Sequence, residues 1–401
     1  MKTVIVIGDG VADRPQAELG GATPLEHAFI PNLTFLAQRG RTGLADCVFD
    51  DLPVGSIVAA LGILGYNPYE YFPNGRASFE ALAGGIRVER GDLAFRCNLI
   101  SLENDRIKDF TAGLIDDDTA RNLVVHVKTG HPKIELFPGQ SYRNILVYRD
   151  AGVSASDFVC APPHENRMRP IDELWVRGRT PKAQSIADEL NQFLRQSREQ
   201  LRELRREYPS QADILWLWSP SDTPALPPFR ARFGSTGAIV GGLKFIAGIG
   251  IAAQMYAAHV PGATGYIDSN LPGKAQAAID LLEKHDFVLV HVNAADEEGH
   301  QRNLAGKIRA IELIDEQIVG PIVRHLRRRF PDGHRFAFLP DHYTCVDDGQ
   351  HIVHPVPYLV SGTGIVRDET QAYSEPAAAA RGAQPIKAWD LLPYLLNPRS
   401  T

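Results

Sequence analysis

Three short apolar runs, each leading to a carboxylate or an imidazole, limit what this chain can fold into more than any other feature. Val4-Ile5-Val6-Ile7 runs into Gly8-Asp9-Gly10, Phe287 to Val292 is followed by Asp296, and Phe336-Ala337-Phe338-Leu339 runs into Pro340-Asp341-His342. A continuous apolar run of this length marks a strand buried on both faces, as in the middle of a parallel sheet. Ile214-Leu215-Trp216-Leu217-Trp218, ending in Ser-Pro-Ser-Asp, has the same form. Helical patterns lie between the runs, over Pro31 to Arg39, Lys274 to Lys284 and Leu304 to Arg329. Alternation of this kind predicts an α/β fold with a mainly parallel sheet covered by helices on both faces. In open α/β sheets chemistry gathers beyond the carboxyl ends of the strands, which is where Asp9, Asp296, Asp341 and His342 fall.

The middle of the chain has a different texture. From about Ile86 to Gly178 the apolar runs are short, alternating and often broken by turn residues, with no long amphipathic helix. An inserted α+β cap or substrate domain over 86–180 is expected, leaving 1–85 and 181–401 as one discontinuous catalytic domain. Ala183 to Tyr208 then places Ile186, Leu190, Phe193, Leu194, Leu201 and Leu204 on one stripe of a long helix whose Arg/Glu-rich face is solvated.

Composition narrows the partners. With 42 Lys and Arg against 48 Asp and Glu, the net charge is −6, which disfavours nucleic acid and anionic membranes. The longest apolar stretch, Ala238 to Ala258, is interrupted by Lys244 and Gln254, so a buried helix is expected there and no membrane span. Cys47, Cys97, Cys160 and Cys345 form no Cys-x-x-Cys pair, which suits a reducing, cytoplasmic setting.

The candidate ligands are Asp9, Asp296, His300, Asp341, His342 and His351. Taken singly, an Asp after a strand is commonly a helix cap, and a His is commonly a surface or satisfied core residue. Their joint position after three buried strands points instead to a metal centre. Mixed carboxylate and imidazole donors suit Zn²⁺ or Mn²⁺ better than Mg²⁺ or Ca²⁺. There are enough donors for two divalent ions, the arrangement that clamps both ends of a phosphoryl displacement. Ser56 follows a Gly-containing turn just ahead of a helical run. A helix start offers backbone N–H groups to a phosphate, and a hydroxyl there is a candidate nucleophile.

Further motifs carry a resemblance. Gly8-Asp9-Gly10 with Ala12-Asp13-Arg14-Pro15, Thr23-Pro24-Leu25-Glu26, Gly55-Ser56, Leu64-Gly65-Tyr66-Asn67-Pro68 and Ala94-Phe95-Arg96-Cys97-Asn98 occur in order. Pro163-His164, Gly262 to Tyr266, Asp296 to His300, Lys307, Asp341-His342, His351 and Ser374-Glu375 follow. Over nearly its whole length the sequence resembles the archaeal-type cofactor-independent phosphoglycerate mutases of the alkaline phosphatase superfamily. Leu339-Pro340-Asp341-His342 and Leu217-Trp218-Ser219-Pro220 are similar to bacterial relatives of that family.

The resemblance implies an alkaline-phosphatase-like core and interconversion of 2- and 3-phosphoglycerate. It implies that Asp9, Ser56, Asp341 and His342 hold one metal, and Asp296, His300 and His351 the other. Ser56 would carry the phosphoryl group, while His164, Arg76, Arg96 and Arg143 would meet a small phosphorylated metabolite. Arg96 and Arg143 read equally well as members of strand-face ion pairs. Arg167, Arg169 and Lys274 are weaker candidates, and His291 is expected to line the site. Two departures keep other functions open. Ile57 stands where the family usually has Asp, and Tyr343 to Gln350 lacks the usual Ser/Thr-Thr-Pro. Phosphotransfer on another small metabolite, homoserine-kinase-like or phosphonate-related, is one alternative, and a non-catalytic member is another.

Overall fold

The computed structural model describes residues 1–397, which divide into two compact units: 1–72 with 226–397, and 73–225. The first unit is built on an eight-stranded sheet. Its order is Tyr256–Ala258, Gly237–Val240, Phe287–Val292, Lys2–Gly8, His334–Leu339, Val356–Gly362, Arg41–Asp46 and Ile386–Lys387. The first five strands are mutually parallel, and only Val356–Gly362 runs antiparallel to its neighbours. The α/β fold with a mainly parallel sheet is therefore present.

Strand Lys2–Gly8 is central because its segment Val4 to Ile7 carries nothing polar and is completely buried. It pairs Gly8 with Val292 on one side and Ile7 with Leu339 on the other. That register brings Asp9, the turn after Val292 and Asp341 out at one edge of the sheet. Helix Leu271–Leu282 packs an apolar face with Leu271, Ala275, Ala278 and Leu282 buried in the core. Leu304–Ile314 and Gly320–Arg329 contribute to the same core and are separated by a π-helical turn at Asp315–Val319. The expected single helix from 304 to 329 is thus interrupted. At the interruption Asp315 turns inward and accepts hydrogen bonds from the backbone N–H groups of Asn32 (3.0 Å) and Leu33 (2.8 Å), capping helix Pro31–Ala37.

The second unit is an antiparallel sheet. Leu93–Glu103 lies between Arg143–Tyr148 and Ile214–Asp222, with Ile134–Gln140 outside Arg143–Tyr148 and Arg106–Asp109 pairing its far end. Leu93, Phe95, Cys97 and Leu99 face a core with helices Asp117–His126 and Pro181–Leu204, while Arg96 and Asn98 point to the opposite face.

Two expectations change here. The apolar run at Ile214 belongs to this antiparallel sheet and not to the parallel one. The unit also extends beyond 86–180, because helix Ala77–Ala83, helix Pro181–Leu204 and strand Ile214–Asp222 contact its strands. The stretch around Ala238 forms strand Gly237–Val240 and helix Lys244–Ala252, and no helix among the described residues is long and apolar enough to cross a membrane.

Candidate metal centre and anion-binding cluster

At the sheet edge each candidate ligand is delivered by a different local device. Gly10 adopts φ +63°, and a Cβ there would lie 2.6 Å from Asp296 Cα, so the turn after Asp9 admits only glycine. Its N–H donates to Asp341 Oδ1 at 3.1 Å. Asp296 and His300 occupy successive turns of helix Ala294–His300, with Nε2 3.5 Å from Oδ2. His351 comes from a hairpin, Tyr343–Cys345 with Gln350–Ile352, in which it sits opposite Thr344. Its ring centroid lies 3.9 Å from that of His342.

Two groupings result. Asp9, His291 and Asp341 offer converging donor atoms, as do Asp296, His342 and His351. His300 joins the second group, its Nε2 3.1 Å from His351 Nε2. Sequence reasoning brought six of these residues together and left His291 as a lining residue. In the structure His291 Nε2 is 3.2 Å from Asp9 Oδ2 without the alignment of a hydrogen bond. Strand alternation could have found it, since His291 lies in the buried strand Phe287–Val292, where a polar side chain needs a reason. His342 lies between the groups: its donor atoms converge with those of Asp296 and His351, and its Nε2 lies 3.4 Å from Asp9 Oδ1 and 3.5 Å from Asp341 Oδ2.

The donor chemistry fits cations. His300 Nδ1 and His351 Nδ1 face the carbonyl oxygens of Gly349 (2.8 Å) and Val54 (3.2 Å). A carbonyl only accepts, so both Nδ1 atoms carry the hydrogen, and each Nε2 donates to Asp296 when its ring is protonated and offers a lone pair when it is neutral. The two Nε2 atoms and the Asp296 carboxylate converge on one point, where positive charge is needed, either on the rings or on a bound cation. In the other group both ring nitrogens of His291 and Asp341 Oδ2 are buried without hydrogen-bond partners. Groups left this way cost about 1–3 kcal/mol each unless something binds them.

The same convergence shifts the titration of the cluster. Burial, followed by the charges of Asp341 and Asp296, holds the Asp9 carboxyl well above the usual range. Burial pushes His291 down to about 4, so that ring is neutral. Burial alone would raise Asp296, but hydrogen bonds from His300 and His351 carry it well below its ordinary value. The reciprocal bond lifts His300 to about 9.

Ser56 begins helix Ser56–Ile63. Its Oγ lies 3.1 Å from Asp9 Oδ2, 3.3 Å from Asp9 Oδ1 and 3.2 Å from His342 Nε2. The hydroxyl therefore points into the carboxylate–imidazole cluster and not into packing.

In the second unit the sheet face opposite its core gathers the other candidates. Arg143 is the cross-strand partner of Asn98, which places it on the face that carries Arg96. Glu80 pairs with Arg76 Nε (3.3 Å) and Arg96 Nε (3.1 Å). The Trp218 ring organises the cluster: the guanidinium carbons of Arg96 and Arg76 lie 4.1 and 5.8 Å from its centroid, and the His164 ring 5.0 Å. Arg143 stacks at 4.3 Å on Tyr142. Burial draws Arg96 down to about 10, which still leaves it charged at neutral pH. Glu80 and Trp218 were not among the candidate residues. The one available signal was an aromatic next to Ser-Pro at the end of a strand. Lys274, a weaker candidate, is buried in the first unit, with Nζ 3.4 Å from the carbonyls of Thr264 and His291.

Such a sheet edge defines a class: α/β proteins that hold cations with carboxylates and imidazoles beside a hydroxyl at a helix start. The particular family follows from comparison with known proteins. A profile of the 2,3-bisphosphoglycerate-independent phosphoglycerate mutases matches residues 37–205. A phosphoglycerate mutase of that name from Methanosarcina barkeri is 36% identical, with both chains covered completely. A probable one from Geobacter sulfurreducens is 34% identical over 99% of this chain and 100% of its own. A solved protein from Pyrococcus horikoshii superposes with TM-score 0.81 at 30% identity, covering 100% of this chain and 98% of that one. The cofactor-independent phosphoglycerate mutase from Thermoplasma acidophilum gives 0.65 at 25% identity, with 99% of each chain covered. The chain belongs to the 2,3-bisphosphoglycerate-independent phosphoglycerate mutase family. That membership implies divalent metal ions, in keeping with the donor set above.

Proposed function

We propose that this protein interconverts 2-phosphoglycerate and 3-phosphoglycerate through a phosphoserine at Ser56. The observation that carries the reading is the Ser56 hydroxyl at a helix start, within 3.3 Å of both Asp9 and His342. Asp9 and Asp341, with Ser56 and the neighbouring His291, would hold one divalent ion. Asp296, His300 and His351 would hold the other, with His342 between the groups. Mixed oxygen and nitrogen donors suit Mn²⁺ or Zn²⁺. Bound there, such ions favour ionisation of the serine hydroxyl and offset charge on the transferring phosphoryl group.

The chain's own residues account for the remaining steps. Asp9 and His342 orient the Ser56 O–H, and the helix start offers backbone N–H groups to a phosphate. The Ser56 Oγ–P bond forms as the substrate's ester O–P bond breaks, and the proton given up by the Ser56 hydroxyl is balanced by one taken up by the glycerate oxygen. The other glycerate hydroxyl then attacks phosphorus, which restores the serine and gives the isomer. Arg76, Arg96, Arg143 and His164 supply the charge that binds the substrate's phosphate and carboxylate, and guanidinium forks suit both groups. Arg96 thus combines the two readings, an ion pair with Glu80 and an anion-binding charge. The four cysteines are unpaired, which fits a cytoplasmic enzyme.

Ile57, in place of the family's usual Asp, favours a second reading in which the phosphoryl group passes to another small hydroxyl such as that of homoserine. An enolase-coupled assay with Mn²⁺ should register conversion of 3-phosphoglycerate. No conversion, together with phosphorylation of homoserine from a phosphoryl donor, would replace the first reading with the second.

A further inference from the structure

Thr344 is fully buried and its side chain has one place to go. Its methyl carbon fills the space that a Cβ on Gly299 would occupy (2.8 Å), and its hydroxyl the space of a Cβ on Gly10 (2.6 Å). The backbone is fixed as well, with its N–H donating to Ala12 O at 3.2 Å and its carbonyl accepting from Lys307 Nζ at 2.6 Å. So held, Thr344 Oγ1 lies 2.6 Å from Asp296 Oδ1 and 3.2 Å from His342 Nδ1.

A hydroxyl has one proton to give. The contact with Asp296 Oδ1 is much the shorter, so the proton of Thr344 goes to that carboxylate. Toward His342 the same oxygen must then accept, which requires the hydrogen on Nδ1 and leaves the lone pair on Nε2. That Nε2 is the atom facing Ser56 and Asp9. His300 and His351 have the same tautomer imposed by backbone carbonyls, which substitution does not remove. At His342 Nδ1 the hydrogen-bond partner is the Thr344 side chain, beside a weaker contact with the Tyr343 carbonyl.

We propose that Thr344 is a positioning residue that selects the ligating tautomer of His342 and ties its ring to Asp296, so that one hydroxyl aligns donors from both groups. The inference rests on the metal reading above and extends it to a residue outside the ligand set. Partners of this kind are worth about 10–100-fold in metal affinity.

The test is calorimetric titration of chelator-stripped full-length protein with MnCl₂, comparing wild type, T344S and T344V. T344S keeps the hydroxyl and should bind within about threefold of wild type, while T344V should bind about 10–100-fold more weakly. Thermal unfolding in EDTA checks that each variant is folded. Independently, ¹⁵N-histidine NMR of the metal-free wild type should show His342 protonated on Nδ1, and this measurement decides the question if T344V does not fold. A folded T344V that binds Mn²⁺ as tightly as wild type, or a His342 proton on Nε2, overturns the role of Thr344 alone. A wild-type protein that binds neither Mn²⁺ nor Zn²⁺ overturns the metal reading beneath it.

Discussion

Lys307 is the residue whose removal should be felt most widely. Its ammonium is completely buried and spends its three donors on Asp13 Oδ2 (2.7 Å), Ala12 O (3.2 Å) and Thr344 O (2.6 Å). Substituting Met keeps the aliphatic stem and deletes the charge. Ala12 O retains the Thr344 N–H. Asp13 retains only neutral donors, the backbone N–H groups of Arg14 (2.7 Å) and Val346 (3.2 Å) and the Gln16 amide (3.4 Å). Breaking a buried pair by removing one partner costs about 3–5 kcal/mol, because the remaining charge is uncompensated. For a unit of this size that corresponds to a fall in Tm of roughly 6–20 °C. Scanning calorimetry of K307M in EDTA at pH 7 measures it without a metal contribution. The double variant D13N/K307M removes both charges and should recover a large part of the loss. A K307M transition within about 1 kcal/mol of wild type, or strictly additive single and double variants, would refute this account of the pair.

Other consequences can be checked separately. S56A should abolish acid-stable ³²P labelling of the protein by substrate while still binding Mn²⁺ through Asp296, His300 and His351; turnover at the wild-type rate would exclude Ser56 as nucleophile. Replacing Arg96 by Met should raise KM for phosphoglycerate by about 10- to 100-fold, the worth of a hydrogen bond to a charged group, and an unchanged KM would remove Arg96 from the binding set. Burial lifts Glu375 from 4.5 to about 7, although its carboxylate accepts hydrogen bonds from Asp13 N–H and Thr23 Oγ1. Between those pH values the folded protein holds a proton that the unfolded chain has released, so stability falls as pH rises through the window, by about 3 kcal/mol in all. E375Q should lose that slope in denaturant titrations from pH 4.5 to 7.5, and an unaltered slope would assign the pH dependence to other groups.

Much of the sheet and its edge was legible because the signals were one-dimensional. Val4 to Ile7 can be buried on both faces only within a sheet, and the side chains that follow such strands emerge on one edge whatever lies between them. That is why Asp9, Asp296, Asp341 and His342 could be grouped across more than 300 residues of sequence. The run at Ile214 misled because an apolar segment does not reveal the direction of its neighbours, and here the strand it pairs with, Leu93–Glu103, is antiparallel. The stripe on helix Pro181–Leu204 indicated that one face was buried, but not against which sheet. Glu80, Trp218 and Thr344 stayed hidden for another reason: their roles depend on distances between side chains set by tertiary packing, which spacing along the chain does not encode.

The placement of Lys2–Gly8 bears on how the chain reaches this state. Its two sheet neighbours begin at Phe287 and His334, with the whole of 73–225 intervening. At ribosomal rates of about 5–20 residues per second, a segment greasy on both sides waits roughly 15–60 s before either neighbour exists. Such non-local pairing slows folding, because loop closure must precede any reward. The cation cage closes later still, once His351 has emerged. The part of the molecule made earliest is thus among the last to be sheltered, and holding it soluble meanwhile falls to chaperones or to transient local collapse.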